Sequence, residues 1–383
     1  MAGKDLHERL CRYYEFIAGP MPDRNRFVEV LRQTVTSEDL AVFFLLPFLK
    51  PVSFEKLKSK STASPQDIQK SLDRMASEGI VMSYETDEGP SYQRSHVVFM
   101  TEQQVRSQKD TTKRRFYAEL FNKVIDGELV ETPTKTPYFR VIPAEASFNV
   151  KSGSSTAIRV GEYVKVDSGP MPLEAIYEIL KNEGPLIGVT ECYCRKTKSL
   201  IGKECDYPIE RCFVLNEQAQ ALIKVGIARE VTFDWAYGML KDCEQMGLVH
   251  QVDNCESRIR SICNCCPCCC VVLNFVQRGA TNVGAPSPFV ARQNADRCRR
   301  SGHCTACCPT GARTLTDQGP VVDEQRCIGC GLCVTACPYG GCRLINRTKM
   351  KIPPKNHHDL YSRLGREALI GKIRKKLFSI STS

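Results

Sequence analysis

Apolar positions change rhythm several times along the chain. In the first thirty-odd residues they recur at helical spacing, broken at Gly19-Pro20-Met21-Pro22, which predicts two helices. Ser37-Glu38-Asp39 then predicts the cap of an apolar helix, Ala41 to Leu49, and Ser53 the cap of a short one, Phe54 to Lys58. Ser64-Pro65-Gln66-Asp67 opens a third with a capping residue, proline in the first turn and an acid three residues on. Its apolar positions Ile68, Leu72, Met75 and Ala76 keep helical spacing, and Gly79 ends it. Two β-rich runs follow, Ile80 to Tyr84 and Tyr92 to Met100, joined by the turn Thr86-Asp87-Glu88-Gly89-Pro90.

Three helices and a hairpin are the layout of a winged helix-turn-helix. Beyond it, Thr101 to Leu129 reads as one long polar helix, and Thr132 to Pro172 as a Pro- and Gly-punctuated connector with strand-like pieces such as Tyr138 to Ile142. A helix is expected from Thr232 to Met246. In the tail Leu360, Leu364, Ala368, Ile373 and Leu377 alternate with Arg363, Arg366, Lys372, Arg374, Lys375 and Lys376, the pattern of a basic amphipathic helix. The expected fold class is multidomain α+β: N-terminal helices (1–35), a winged helix-like domain (36–105), a helix and connector (106–170), a helical cysteine-rich region (171–275), a second cysteine-rich domain (285–346) and a basic C-terminal helix (347–383).

Composition changes this picture in one respect. Charged and hydrophobic fractions of 25% and 42% are ordinary for a soluble chain, but 22 of the 383 residues are cysteine. Cys11 alone precedes residue 190; the others fall between Cys192 and Cys342. Met1 to Tyr14 is charged and carries no apolar signal-peptide core, and the longest apolar run, Ala41 to Leu49, is about half of the ~20 residues a membrane span needs. A reducing, cytoplasmic and anaerobic setting is therefore expected, in which clustered thiols mean metal. The net charge of +10 resides mainly in the tail, where Arg343 to Ser383 holds eleven Lys/Arg against two acidic residues.

The strongest motif is Cys327-Ile-Gly-Cys330-Gly-Leu-Cys333-Val-Thr-Ala-Cys337-Pro338. This C-x2-C-x2-C-x3-C-P spacing brings three thiolates onto one cubane, and sends the fourth, before a helix-breaking proline, to another cluster. About 29 residues earlier Cys298-Arg-Arg-Ser301-Gly-His-Cys304-Thr-Ala-Cys307-Cys308-Pro309 repeats it, with Ser301 in the second ligand position. Crossed ligation gives one cluster Cys308, Cys327, Cys330 and Cys333, and the other Cys298, Cys304 and Cys337. At the fourth corner Ser301 ligation, Cys307 ligation and loss of one iron to [3Fe–4S] all remain open; a three-iron or labile four-iron cluster is preferred. Cys298 to Cys342 resembles the two-cluster bacterial ferredoxin, which implies two pseudo-symmetric β-α-β halves around at least two [4Fe–4S] sites.

The cysteine-rich middle carries Cys192-Tyr-Cys194-Arg195, Cys205 and Cys212, a full set of four ligands by itself. Cys255 precedes Ile262-Cys263-Asn-Cys265-Cys266-Pro-Cys268-Cys269-Cys270, six cysteines in eight positions. Neighbouring cysteines point differently, so two sites could share these six. Candidate metal ligands are Cys192, Cys194, Cys205, Cys212, Cys263, Cys265, Cys266 and Cys268. They would hold a further cluster or zinc. With the winged-helix start, these motifs resemble a group of winged-helix/ferredoxin iron–sulfur proteins of anaerobic bacteria and archaea. Arg195 and Arg211 are candidates for offsetting cluster charge.

No dinucleotide or phosphate loop and no haem-attachment motif is present. The expected role is electron relay, as a carrier or an oxidoreductase subunit rather than a catalyst, with a redox partner that is acidic at its docking face. The rival is a redox-sensing transcription regulator using the winged helix. The third helix balances Lys70 and Arg74 against Asp67 and Asp73, and the wing turn is acidic, so DNA binding is disfavoured. The basic tail would serve partner docking, peripheral membrane contact or cover of the domain's own core.

Overall fold

A computed structural model describes residues 5–18, 20–47, 51–86, 89–126, 134–147, 163–166, 169–172, 176–280, 282–348 and 351–380. The chain divides into two compact units: Met1–Leu129 with Arg195–Glu204, and Val130–Cys194 with Cys205–Ser383.

The first unit follows the sequence expectation in its order. Helices Leu6–Ala18 and Arg24–Thr34 come first, then Ser37–Leu45, Phe54–Lys58 and Pro65–Ser77, then the hairpin Val81–Thr86 with Gly89–Arg94. Strand Val52–Ser53 pairs with Gly89–Arg94, making a three-stranded sheet. The third of these helices is capped one residue earlier than expected, by Thr36, which accepts from Asp39 N while Asp39 reciprocally accepts from Thr36 N, a capping box. Ser64 caps Pro65–Ser77 as expected, and Gly79 supplies the positive φ (70°) that ends it.

Two expectations here are corrected. The second β-rich run stops at Arg94, because Val97–Ser107 is a helix capped by His96, whose ring nitrogen accepts from Val98 N. The single long helix is instead two, Val97–Ser107 and Thr111–Ile125, parted where Asp110 turns its carboxylate onto the N–H groups of Thr112 and Lys113. The acidic wing residues Asp87 and Glu88 and residues 48–49 of the apolar run lie outside the described residues.

The second unit overturns the expected helical middle region. Its frame is a seven-stranded sheet in the order Gly284–Ala285, Phe139–Ile142, Val249–Asp253, Ser261–Cys265, Glu210–Leu215, Ile187–Glu191, Ala228–Glu230. The strands are short apolar runs of the kind that periodicity cannot separate from helix or loop. Their side chains pack into two cores: Ile187, Val189, Phe213, Leu215, Val252 and Ile262 share one with Leu240 and Cys243 of the helix Phe233–Gln245, and Val141, Val249 and Cys265 another with Leu273. That helix runs as expected, with Thr232 accepting from Trp235 N. Phe213 is fully buried, so Phe213→Ala would cost about 3–5 kcal/mol.

The ferredoxin-like region follows: strand Phe289–Gln293 pairs with Cys342–Asn346, and Arg313–Thr316 with Gly319–Val322, each pair joined to a one-turn helix, His303–Ala306 or Leu332–Thr335. The C-terminal helix, His357–Ile380, packs on this same unit at its start. Leu360 is fully buried, Tyr361 OH lies 3.0 Å from Tyr138 OH, and Glu367 accepts from the N–H groups of Lys135 and Thr136 and from the Thr136 hydroxyl.

Candidate metal centres

The two halves of the ferredoxin-like region share a backbone signature. Gly302 and Gly331, with φ of 78° and 80°, each precede a short helix; Arg300 and Gly329 (52° and 66°) and Gly311 and Gly340 (64° in both) repeat the pairing. These left-handed positions turn the loop tightly enough to direct alternate thiols inward. By this correspondence Cys298, Ser301, Cys304 and Cys308 answer to Cys327, Cys330, Cys333 and Cys337, as the sequence alignment has it.

Cysteines from the two halves meet in space. One cavity is lined by Cys308 from the first half and by Cys327, Cys330 and Cys333 from the second, with Ile328 and Arg313 beside them. At the other site Cys298 and Cys337 meet at Gly341, where an added Cβ would stand 3.1 Å from Cys298 Cα and 3.4 Å from Cys337 Sγ. Backbone N–H groups aim at the sulfurs: Gly341 N donates to Cys337 Sγ at 3.1 Å and Arg300 N to Cys298 Sγ at 3.4 Å. N–H donors to a ligating sulfur are among the features that set a cluster's potential.

The fourth corner of the second site is occupied differently. Ser301 is exposed, and its hydroxyl lies 2.8 Å from His303 Nδ1. Cys307 is half-buried and points its thiol to the carbonyl of Cys304 at 3.7 Å; burial, then the neighbouring Cys308, pushes its pKa up to about 11.

One pair was missed from sequence. Arg313 and Cys342 occupy the same place in the two halves, both are buried, and Arg313 Nη1 donates to Cys342 Sγ at 2.7 Å. Cys342 also contacts Cys333 of one ligand set and Cys304 of the other. Arg313 Nε and Nη2 are buried without a protein partner, so two N–H groups and a cation face a site whose donors are thiols. An anionic iron–sulfur cluster suits these donors. Aligning Cys308-Pro309-Thr-Gly-Ala-Arg313 with Cys337-Pro338-Tyr-Gly-Gly-Cys342 would have exposed the pair.

The sheet region gathers ten cysteines into two groups, and the division corrects the sequence grouping. Strand register supplies the first group. Ile262 pairs with Phe213, which sets Cys263 opposite Cys212; Cys265 lies two residues on, on the same face. Cys192 follows the strand Ile187–Glu191, Cys194 opens the helix Tyr193–Leu200, and Cys270 caps Val271–Gln277. Their thiols form a closed ring of contacts: Cys194 touches Cys192 and Cys270, Cys265 touches Cys270 and Cys263, and Cys212 touches Cys263 and Cys192. Hydrogen bonding from Cys212 and Cys265 lowers the Cys263 pKa to about 6. The buried Gln251 aims its amide N–H at Cys270 Sγ, 4.0 Å away.

The second group is Cys205, Cys266, Cys268 and Cys269, whose sulfurs all lie within 4.8 Å of one another; Cys268 is exposed and the other three are buried or half-buried. Thus Cys205 parts from Cys192, Cys194 and Cys212, with which its spacing had grouped it. Cys265 and Cys266, and likewise Cys269 and Cys270, enter different groups, whereas the adjacent Cys268 and Cys269 share one. Cys269 and Cys270 were not among the expected ligands. Cys255 joins neither group; it lies in the apolar core, where burial raises its pKa to about 12.

The ring and the ferredoxin-like region are continuous. Cys265 and Cys270, with Cys263 beside them, pack in one apolar cluster with Ile328, Leu332 and Cys330. Gln277 Nε2 donates to Pro267 O in the cysteine loop and to Pro309 O next to Cys308. Of the two arginines singled out from sequence, Arg195 is fully buried, and Arg211 donates to Glu210 O while its Nε finds no protein partner.

In the first unit the helix Pro65–Ser77 has its arginine committed within the protein. Arg74 is bound to both carboxylate oxygens of Asp39, at 2.6 and 3.2 Å, and Gln69 to Asp73 and the Tyr92 hydroxyl.

Residues 320–341 match the family described as 4Fe-4S binding domain. This segment is ferredoxin-like and iron–sulfur binding. It spans Cys327, Cys330, Cys333 and Cys337. No curated protein matches the chain. No helix among the described residues is long and apolar enough to cross a membrane.

Proposed function

We propose that the chain is a cytoplasmic electron-relay protein with two clusters in residues 298–337 and a third held by the six-thiol ring. The observation that carries the reading is the shared apolar cluster, in which ring thiols Cys265 and Cys270 pack with Ile328, Leu332 and Cys330 of the ferredoxin loop. Centres walled by the same side chains exchange electrons without a mobile carrier between them.

Cys308, Cys327, Cys330 and Cys333 hold the first cluster, and Cys298, Cys304 and Cys337 the second. Bound clusters supply one-electron storage at potentials set by charge, hydrogen bonding and exposure. The protein's part is to fix that environment. Arg313 places a buried cation between the two ligand sets, and Gly341 N and Arg300 N donate to ligand sulfurs. Ser301, exposed and turned to His303, leaves the second site with three thiolates, the set that a [3Fe–4S] cluster uses. An acidic oxidoreductase partner is the expected electron exchanger, steered by the basic tail. The transcription-regulator reading has no comparable support, since Arg74 is committed to Asp39.

Stepwise anaerobic reduction with counted electrons, followed by transfer to a one-electron acceptor, tests the relay. Uptake should exceed what two clusters accept and should be returned to the acceptor. Uptake of two electrons or fewer, or none returned, would sink it.

A further inference from the structure

Four thiols of the sheet region stand outside the ring as a group of their own, and their geometry differs from that of the other cysteine groups among the described residues. Cys205, Cys266, Cys268 and Cys269 have all six sulfur–sulfur separations within 4.8 Å, with 3.8 Å between Cys268 and Cys269. Among the described residues no other group of three or more such ligands is so tight. The ferredoxin ligands Cys308, Cys327, Cys330 and Cys333, which line one cavity, do not meet that limit, as expected of thiols that stand outside a four-iron core.

A single tetrahedral ion sets a different scale. With metal–sulfur bonds of about 2.3 Å, the edges of a tetrathiolate tetrahedron are about 3.8 Å. Small adjustments of the four sulfurs reach that figure, whereas a cubane would require the loop to spread. Four thiolates in a closed tetrahedron suit zinc, and Zn²⁺ binds such a site more tightly than Fe²⁺ in the usual order of divalent affinities.

We propose that Cys205, Cys266, Cys268 and Cys269 bind one structural zinc ion, separate from the six-thiol ring, so that the sheet region holds two metals of different kinds. Zinc carries no electron, and its role follows from the loop it grips. Cys265 and Cys270, which enter the ring, flank the three loop ligands, and Pro267 between them accepts from the same Gln277 amide that reaches Pro309 beside Cys308. Fixing Cys266, Cys268 and Cys269 fixes both flanking ring thiols and the edge of the ferredoxin loop.

This assignment does not rest on the relay reading, and one preparation separates the two. Full-length protein made and purified anaerobically is analysed for zinc and iron, with Cys268→Ser and Cys263→Ser alongside. We expect about one zinc per chain in the parent. Cys268→Ser should lower zinc by about tenfold or more with iron retained, and Cys263→Ser should lower iron with zinc retained. Zinc-edge X-ray absorption of the parent, which needs no variant to fold, should show four sulfurs at about 2.3 Å. Absence of zinc, oxygen or nitrogen ligands around it, or loss of iron rather than zinc in Cys268→Ser would overturn the proposal; the last includes a lone tetrathiolate iron.

Discussion

The ferredoxin-like region and the cysteine-rich sheet both gather thiols, but they do so by opposite means. In the former, a glycine-turned loop places three cysteines within seven residues, and Cys308 joins them from the other half. In the latter, the ring draws on two strands, a strand end, a helix start and a helix cap spread from Cys192 to Cys270. A loop of fixed local conformation writes its chemistry into the spacing of the sequence. A site assembled by strand register does not, because what brings Cys212 against Cys263 is the pairing of Phe213 with Ile262.

Changes that restore or remove ligands act most strongly on the contrast. Ser301→Cys would make the two ferredoxin halves alike. We expect it to raise iron by about one per chain and to abolish the isotropic paramagnetic signal of an oxidised three-iron cluster. Persistence of that signal would mean that Ser301 is not the open corner.

Gly302 and Gly331 sharpen the comparison within the pseudo-repeat. Both have φ near +80°, so alanine at either is strained by about 1–2 kcal/mol. A Cβ at Gly302 has only Leu315 Cδ2 nearby, at 3.9 Å, whereas one at Gly331 meets Ser147 Oγ at 2.6 Å. Gly331→Ala should therefore unfold at clearly lower denaturant than Gly302→Ala and lose iron faster. Equal midpoints would contradict the packing described.

Arg313→Leu removes the cation between the ligand sets while leaving the ring untouched. At an effective dielectric near 20 its loss should destabilise the reduced clusters by roughly 1–2 kcal/mol per electron. Redox titration should show lower potentials for the ferredoxin signals and none for the ring; no shift would mean that the guanidinium is not directed at the clusters.

The smallest effect is a pH dependence at the C-terminal helix. Burial, with Arg260 nearby, depresses the His357 pKa to about 3, below the ordinary value near 6.5. The unfolded state then binds the proton more readily, so stability is full above about pH 6.5 and falls as pH drops towards 3, by up to ~1.4 kcal/mol per unit. Hydrogen exchange across His357–Ile380 should speed up over that window, and His357→Phe should flatten the dependence.

Much of the fold was legible where local chemistry decides it. Thr36, Ser64 and Thr232 cap their helices within a residue of the expected places, and the order of elements in the first unit follows. The sheet was missed because strands such as Ile187–Glu191 and Val249–Asp253 are too short for periodicity to show, and their partners lie far off in sequence. The iron–sulfur character of the segment holding Cys327, Cys330, Cys333 and Cys337 was legible in spacing alone. Cys205 was misgrouped for the converse reason: its spacing from Cys212 fitted a four-ligand set, but tertiary packing delivers it to Cys266, Cys268 and Cys269.

The central claim is that register-built thiols hold a cluster as real as the motif-built ones. Anaerobic iron and sulfide quantification with electron paramagnetic resonance, on the parent and on Cys263→Ser, tests it most directly. We expect about eleven or more irons in the parent, falling towards seven in Cys263→Ser with the ferredoxin signals unchanged. A parent with about seven or eight irons, and a variant identical to it, would confine the clusters to the ferredoxin-like region and contradict the account.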